Sequence, residues 1–171
     1  MSKKVAISTI ETLRQHGFQA YLVGGCVRDL LLGREPADFD VATSATPKQV
    51  METFPETYAV GAQFGVVLVP SPGGEYADGE EGASKSYVVE VATFRSDLGY
   101  SDGRHPDEVR FTQDPREDAA RRDITINGMM LDPVTGEVLD FVRGRKDLEA
   151  KLIRAIGDPH RRFGEDKLRM L

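Results

Sequence analysis

Short helical and strand patterns alternate along the chain without an internal repeat, and this alternation commits it to a mixed α/β architecture. Val5, Ile7, Ile10 and Leu13 form a helical stripe that ends at Gly17, and AYLVGG behind it reads as a short apolar strand. CVRDLLLG fits a helix closed by Gly33, and FDVAT fits a second strand. TPKQVMETF predicts a helix in which Thr46 caps, Pro47 opens the first turn and Gln49 completes a capping box. Further strands are expected at 57–60, 64–69 and 86–93. Between the last two, PSPGGEYADGEEGASKS is too rich in Gly, Ser and Glu to supply core, so 70–86 reads as a mobile loop.

The second half continues the mixture. Asp114, Pro115 and Glu117 predict a helix over DPREDAARRD, closed by its own capping box, that delivers Arg121 and Arg122 near its end. MMLDPVTGEVLDFV reads as a hairpin, RKDLEAKL as a helix, IRAIG as a strand, and DPHRRFGEDKLRML as a final helix. No Gly or Pro closes that helix, which predicts that the natural polypeptide continues. With 171 residues and 40% hydrophobic content, the chain buries one proper core. A formal charge of −6 argues against a general nucleic-acid coat or membrane binder, although a local basic cluster can still hold phosphates. No apolar run approaches the roughly 18 residues of a membrane span. The single cysteine, Cys26, excludes an internal disulfide, and no leader precedes KKVAISTIETLRQHG, so a cytoplasmic protein is expected.

Asp38 and Asp40 flank one aromatic residue at the start of the FDVAT strand. Residues i and i+2 of an extended segment point the same way, so the two carboxylates crowd each other and call for positive charge between them. Hard oxygen donors favour Mg²⁺, which takes few carboxylates and completes its shell with substrate phosphates. Upstream, LVGGCVRDLLLG supplies a strand, two glycines whose backbone can approach a ligand closely, and a helix start carrying Arg28. Simpler readings exist for each part: a solvated acid pair, a tight Gly24–Gly25 turn, and Arg28 paired with Asp29 or Glu35. Their order along the chain favours a triphosphate site.

LVGGCVRDLLLGREPADFDVATSATP resembles the head-domain signature of the class II tRNA nucleotidyltransferase and poly(A) polymerase family. The resemblance extends, in order, through VEVATFR (89–95), YSDGRHPDEVRF (100–111), RRDITINGMMLDPVTGEVLDFVRGRKDL (121–148) and IRAIGDPHRRFGEDKLRML (153–171). It implies a nucleotidyltransferase palm, a mixed β-sheet flanked by helices, with residues 1–152 as the head and 153–171 as the start of a helical neck. Two positions depart from the family's pattern: Gly128 stands where alanine is usual, and Cys26 where alanine is common. The 70–86 loop is also long for the family.

The resemblance implies that Asp38 and Asp40 hold two catalytic Mg²⁺ ions, and that Glu90 is a third carboxylate that ligates a metal or assists proton removal. An ion pair of Glu90 with Arg95 is the competing reading. Gly25 and Arg28 would cradle the triphosphate and Arg122 would contact nucleotide phosphate or sugar, against a purely helix-terminal role for Arg121 and Arg122. Asp123 and Asn127 brace the segment, Asn127 being within range of the sugar. Asp166 and Arg169, three residues apart on one helical face, match the family's EDxxR template. Acceptor and donor together suit the Watson–Crick edges of C and A; a plain i, i+3 ion pair is the alternative.

The implied activity is template-independent addition of CMP and/or AMP from CTP and ATP to an RNA 3′ end, most simply CCA addition to tRNA, with release of pyrophosphate. Poly(A) polymerase is the alternative within the family, and a nucleotide-binding fragment with little activity alone is the noncatalytic alternative. A phosphohydrolase using D-x-D as nucleophile and acid is disfavoured. Its first Asp closes an apolar strand, whereas GREP precedes Asp38 and Pro36 does not suit a central strand.

Overall fold

The computed structural model describes residues 2–71, 87–98 and 108–165. The expected 70–86 loop and the Asp166–Arg169 pair lie largely or wholly outside them. The first helix, α1 (Ser2–Gln15), buries Ala6, Ile10 and Leu13. At 3.6 residues per turn Ile7 lies about 100° round from Ala6, so the buried stripe runs through Ala6 and Thr9, and Ile7 is left half-buried. Strand β1 (Ala20–Val23) is followed by α2 (Gly25–Leu31), strand β2 (Asp40–Thr43) and α3 (Pro47–Thr53). The capping box on α3 forms as expected: Gln49 N donates to Thr46 Oγ1 at 3.4 Å, and Thr46 N donates to Gln49 Oε1 at 2.9 Å.

Strands β3 (Tyr58–Gly61), β4 (Val66–Pro70) and β5 (Val88–Thr93) extend the sheet on one side, and a small hairpin, β8 (Met130–Leu131) with β9 (Val138–Leu139), extends it on the other. The seven strands lie in the order β3-β4-β5-β2-β1-β8-β9. The β2–β5 pair is parallel, with Val41 opposite Val91, and the other pairs are antiparallel. Ser71 N donates to Tyr87 O at 2.7 Å, so the ends of the long β4–β5 connection meet. One face packs Leu22, Val41, Val67, Val69, Val89 and Val91 against Ala6, Ile10 and Leu13 of α1, Cys26 and Val27 of α2 and Val50 of α3. A smaller cluster of Val23, Ala42, Phe94, Ala119 and Met130 covers part of the opposite face. Burial at about 25 cal/mol per Å² of apolar surface is what holds the helices to the sheet.

Three differences from the sequence reading have physical causes. A two-stranded ladder, β6 (Arg95–Leu98) with β7 (Glu108–Phe111), follows β5 directly; RSDL carries no apolar alternation and EVRF alternates over only four residues, too little to mark either as a strand. Helix α4 (Pro115–Arg121) is capped by Asp114, which accepts from Arg116 N at 2.9 Å, but the expected box does not close. Asp114 N donates instead to Thr112 Oγ1, and Glu117 pairs with Arg110. IRAIG is not a strand: it makes one bridge, Ile124 with Ala155, because its partner segment turns at once into a 3₁₀ turn over Thr125–Asn127. Helices α5 (Gly144–Glu149) and α6 (Pro159–Glu165) follow. Among the described residues no helix is long and apolar enough to cross a membrane.

The turn at 125–127 is wedged by two glycines. A Cβ on Gly128 would lie 2.7 Å from Val142 Cγ2 and 2.9 Å from Ile156 Cδ1, so these side chains occupy the room an alanine methyl needs. A Cβ on Gly144 would lie 2.2 Å from the Thr125 carbonyl oxygen, which is backbone and cannot rotate away. Gly128→Ala is therefore expected to cost about 1–3 kcal/mol, as overpacking against side chains does. Gly144→Ala should cost more, and thermal unfolding of the two variants checks the order.

Candidate active site

Register builds the site. Val23, the last residue of β1, pairs with Asp40, the first of β2, so the chain leaving β1 turns directly beside the Asp40 carboxylate. Gly24 makes that turn at φ 76° and ψ −141°, a conformation that L side chains rarely adopt. A Cβ there would sit 3.9 Å from Asp40 Oδ2 and 3.8 Å from Arg122 Nη1. Backbone, carboxylate and guanidinium thus converge on one spot. Of the two adjacent glycines it is Gly24 that needs to be glycine for its conformation; Gly25 begins α2, with Arg28 Nη2 3.5 Å from its Cβ position.

Strand alternation turns Asp40 to the less covered face of the sheet, and the parallel β2–β5 pairing turns Glu90 to the same face one step before the Val41–Val91 pair. Glu90 is exposed, Asp40 half-buried, and Asp38, just ahead of the strand, exposed. Burial pushes the Asp40 carboxyl above the usual carboxylate range, the Glu90 charge raises it further, Arg122 pulls it back and Asp38 adds to the rise. These four side chains therefore share one field. Among the described residues no three His, Cys, Asp or Glu side chains close on a single point, so the acids form an open face rather than a preformed cage.

Arg28 is held on two sides: Nε pairs with Asp29 Oδ1 at 2.9 Å and Nη1 donates to Asn127 Oδ1 at 3.0 Å. Asn127 thus links the 125–127 turn to α2. Asp123 Oδ1 accepts from Ile124 N at 2.7 Å and braces its own backbone. Thr125 Oγ1 donates to buried Asp147 Oδ2 at 2.8 Å, which also takes Arg154 Nε at 3.0 Å. Arg95 pairs with Asp97 at 2.9 Å rather than with Glu90.

Sequence reasoning missed Asp118, which has no exposed surface. Its Oδ2 receives Arg122 Nε at 3.2 Å and Nη2 at 3.0 Å, and its Oδ1 receives Arg121 Nε at 2.9 Å and Arg95 N at 3.3 Å. The available signal was an acid three and four residues before two arginines, hence on their face of α4.

Residues 20–154 match the model of the poly(A) polymerase head domain. The chain belongs to the class II tRNA nucleotidyltransferase family. Within that family it is 47% identical over 166 residues to the CCA-adding enzyme of Bacillus pumilus, an alignment that takes in 97% of this chain and 38% of that protein. The crystal structure of the Bacillus stearothermophilus CCA-adding enzyme in complex with CTP matches with a TM-score of 0.80 at 40% identity, over 98% of this chain and 36% of that one. A tRNA nucleotidyltransferase complexed with a primer tRNA and an incoming ATP analogue matches with a TM-score of 0.63 at 25% identity, over 95% of this chain and 42% of that one. The chain spans between 36% and 42% of the length of these relatives. The mixed sheet with flanking helices is the family's head fold.

For this nucleotidyltransferase head, Asp118 also sets an acid limit on stability. Burial opposes its charge, but Arg122 and Arg121 outweigh burial and hold its carboxyl below the usual range. The unfolded chain therefore takes up the proton first as pH falls. The stabilisation is complete above the ordinary aspartate pKa of about 3.9 and is lost as pH drops through the lower folded value. Asp118→Asn is expected to lose about 3 kcal/mol at pH 7, with the gap to wild type closing below about pH 4. Urea unfolding from pH 7 to pH 2 measures both.

Proposed function

We propose that the protein transfers CMP and AMP from CTP and ATP to an RNA 3′ end, with tRNA as the substrate and CCA addition or repair as the outcome. The observation that carries this reading is the half-buried Asp40 carboxylate set between the Glu90 and Asp38 charges, the Gly24 turn and the Arg122 guanidinium. That juxtaposition suits a nucleoside triphosphate, whose phosphates need both cationic side chains and metal-bridging acids. The relatives that bind CTP, and a primer tRNA with an ATP analogue, lend it support.

In this reading the Gly24–Gly25 backbone, Arg28 and Arg122 bind the triphosphate. Arg28 is pre-aimed by Asn127 and Asp29, so it loses little freedom on binding. Asp38 and Asp40 hold two Mg²⁺ ions. The donor set fits them, because hard carboxylate oxygens repelling one another around Asp40 are relieved by a divalent cation. Bound there, the metal supplies Lewis-acid activation of the RNA 3′-hydroxyl and stabilisation of the departing pyrophosphate. Glu90 either adds a third ligand or accepts the hydroxyl proton. Residues 1–152 act as the head and 153–171 begin a neck.

Asp40→Asn and Asp38→Asn are each expected to lower incorporation of labelled CMP and AMP into tRNA lacking its 3′ end at least about a hundredfold, the several kcal/mol that metal activation supplies. Their melting temperatures should hold or rise as repulsion is relieved. Wild-type rates in either variant would overturn the assignment. Chains of A from ATP alone would favour the poly(A) polymerase reading that the head-domain match admits. CTP binding without transfer would favour the nucleotide-binding fragment, a reading the chain's partial span of its relatives admits.

Base choice is assigned to Asp166 and Arg169, whose acceptor and donor suit the edges of C and A. Arg169→Ala should relax discrimination against UTP and GTP by about 1–3 kcal/mol, the cost of a buried polar group left unpaired. Single-turnover rates for the four nucleotides test this. Unchanged ratios would assign the pair to helix structure.

A further inference from the structure

Among the described residues Arg122 is gripped from one side only. Asp118 Oδ2 receives Nε at 3.2 Å and Nη2 at 3.0 Å, so the Nε–Nη2 edge of the planar guanidinium is held against one carboxylate oxygen and the opposite side of the group is turned away from Asp118. The remaining nitrogen, Nη1, is thereby presented to the Gly24 turn, at a point 3.8 Å from itself and 3.9 Å from Asp40 Oδ2. The other carboxylate oxygen of Asp118 is committed elsewhere, to Arg121 Nε and to the backbone N–H of Arg95 at the start of β6. Arg121 in turn reaches Asp97 Oδ2 at 3.8 Å. Asp118 cannot shift toward Arg122 without loosening its hold on β6.

We infer that Asp118 is a positioning residue for nucleotide binding, acting by aiming Arg122 Nη1 at the phosphates held beside Gly24. The inference rests on the proposed triphosphate site and adds to it the requirement that the buried acid, which touches no substrate, works only through Arg122. A lysine in place of Arg122 would keep the charge but could not be gripped along an edge. A glutamate in place of Asp118 would keep the charge but displace the grip.

The test is a double-mutant cycle read by CTP affinity in Mg²⁺, measured calorimetrically on the 171-residue chain. Asp118→Asn and Arg122→Ala are each expected to weaken CTP binding about tenfold, one charge-assisted contact at 1.4 kcal/mol per decade. The double variant should lose no more than Arg122→Ala alone. Arg122→Lys should fail to restore affinity. Additive losses, reaching about a hundredfold in the double variant, or a folded Asp118→Asn that binds CTP normally, would overturn the positioning role. Should Asp118→Asn not fold, the wild-type protein still decides. The Arg122 Nε–H resonance should exchange slowly without ligand and should shift on CTP addition. Exchange as fast as that of exposed arginines would overturn the inference. Failure of the wild type to bind CTP or ATP overturns the triphosphate site itself, whereas binding with an additive cycle overturns only the role of Asp118.

Discussion

The pairing of Val23 with Asp40 is the constraint from which the site follows. One residue of slippage between β1 and β2 would turn Asp40 into the apolar cluster beneath α1 and α2 and would move Val41 to the open face. The register is protected on that side by Leu22, Val41 and Val91, all without exposed surface, so any slip exposes core at several kcal/mol. The acidic face thus inherits its precision from the opposite, apolar one. The parallel β2–β5 ladder does the same for Glu90, since Val41–Val91 and Thr43–Thr93 pack on the covered side.

The division of labour between the two faces also explains the electrostatics. A face covered fully by helices would make an ionised Asp40 very costly, and one left bare would let water screen it. The small cluster of Val23, Ala42, Phe94, Ala119 and Met130 gives an intermediate cover. Asp40 is consequently desolvated enough to feel Glu90 and Arg122 strongly, yet open enough to meet a ligand. Arg122 is supplied by α4, which the same cluster anchors through Ala119, so packing and countercharge arrive on one element.

Local chemistry was legible in the sequence where a signal and its partner lie within one turn of chain. Thr46 and Gln49 declared the start of α3, and Asp38 and Asp40 declared an acidic strand entry, because neither needs knowledge of anything distant. Asp114 declared its cap, but Glu117 was taken by Arg110 of β7, a competitor from another element. IRAIG has the apolar content of a strand and lacks only a straight neighbour to pair with. The spacing of Asp118 from Arg121 and Arg122 was in the sequence, but its burial was not, for the same reason: it follows from β6 packing on α4, where the backbone of Arg95 adds a further partner. Which of Gly24 and Gly25 adopts the positive φ is likewise decided by where β2 lies.

The order of these elements along the chain has a consequence for how the protein is made. β1, β2 and β5 lie within residues 20–93, so a nascent chain that has emerged past Thr93 already holds the strands that place Asp40 beside Glu90. The cation that offsets them enters with α4, about thirty residues later, or a few seconds at ribosomal speeds of roughly 5–20 residues per second. Until then the β2–β5 pair must close against its own repulsion, carried by the valines on its covered side. The head is therefore synthesised hydrophobic face first, and the repulsion around Asp40 is offset, in part, only when Arg122 docks.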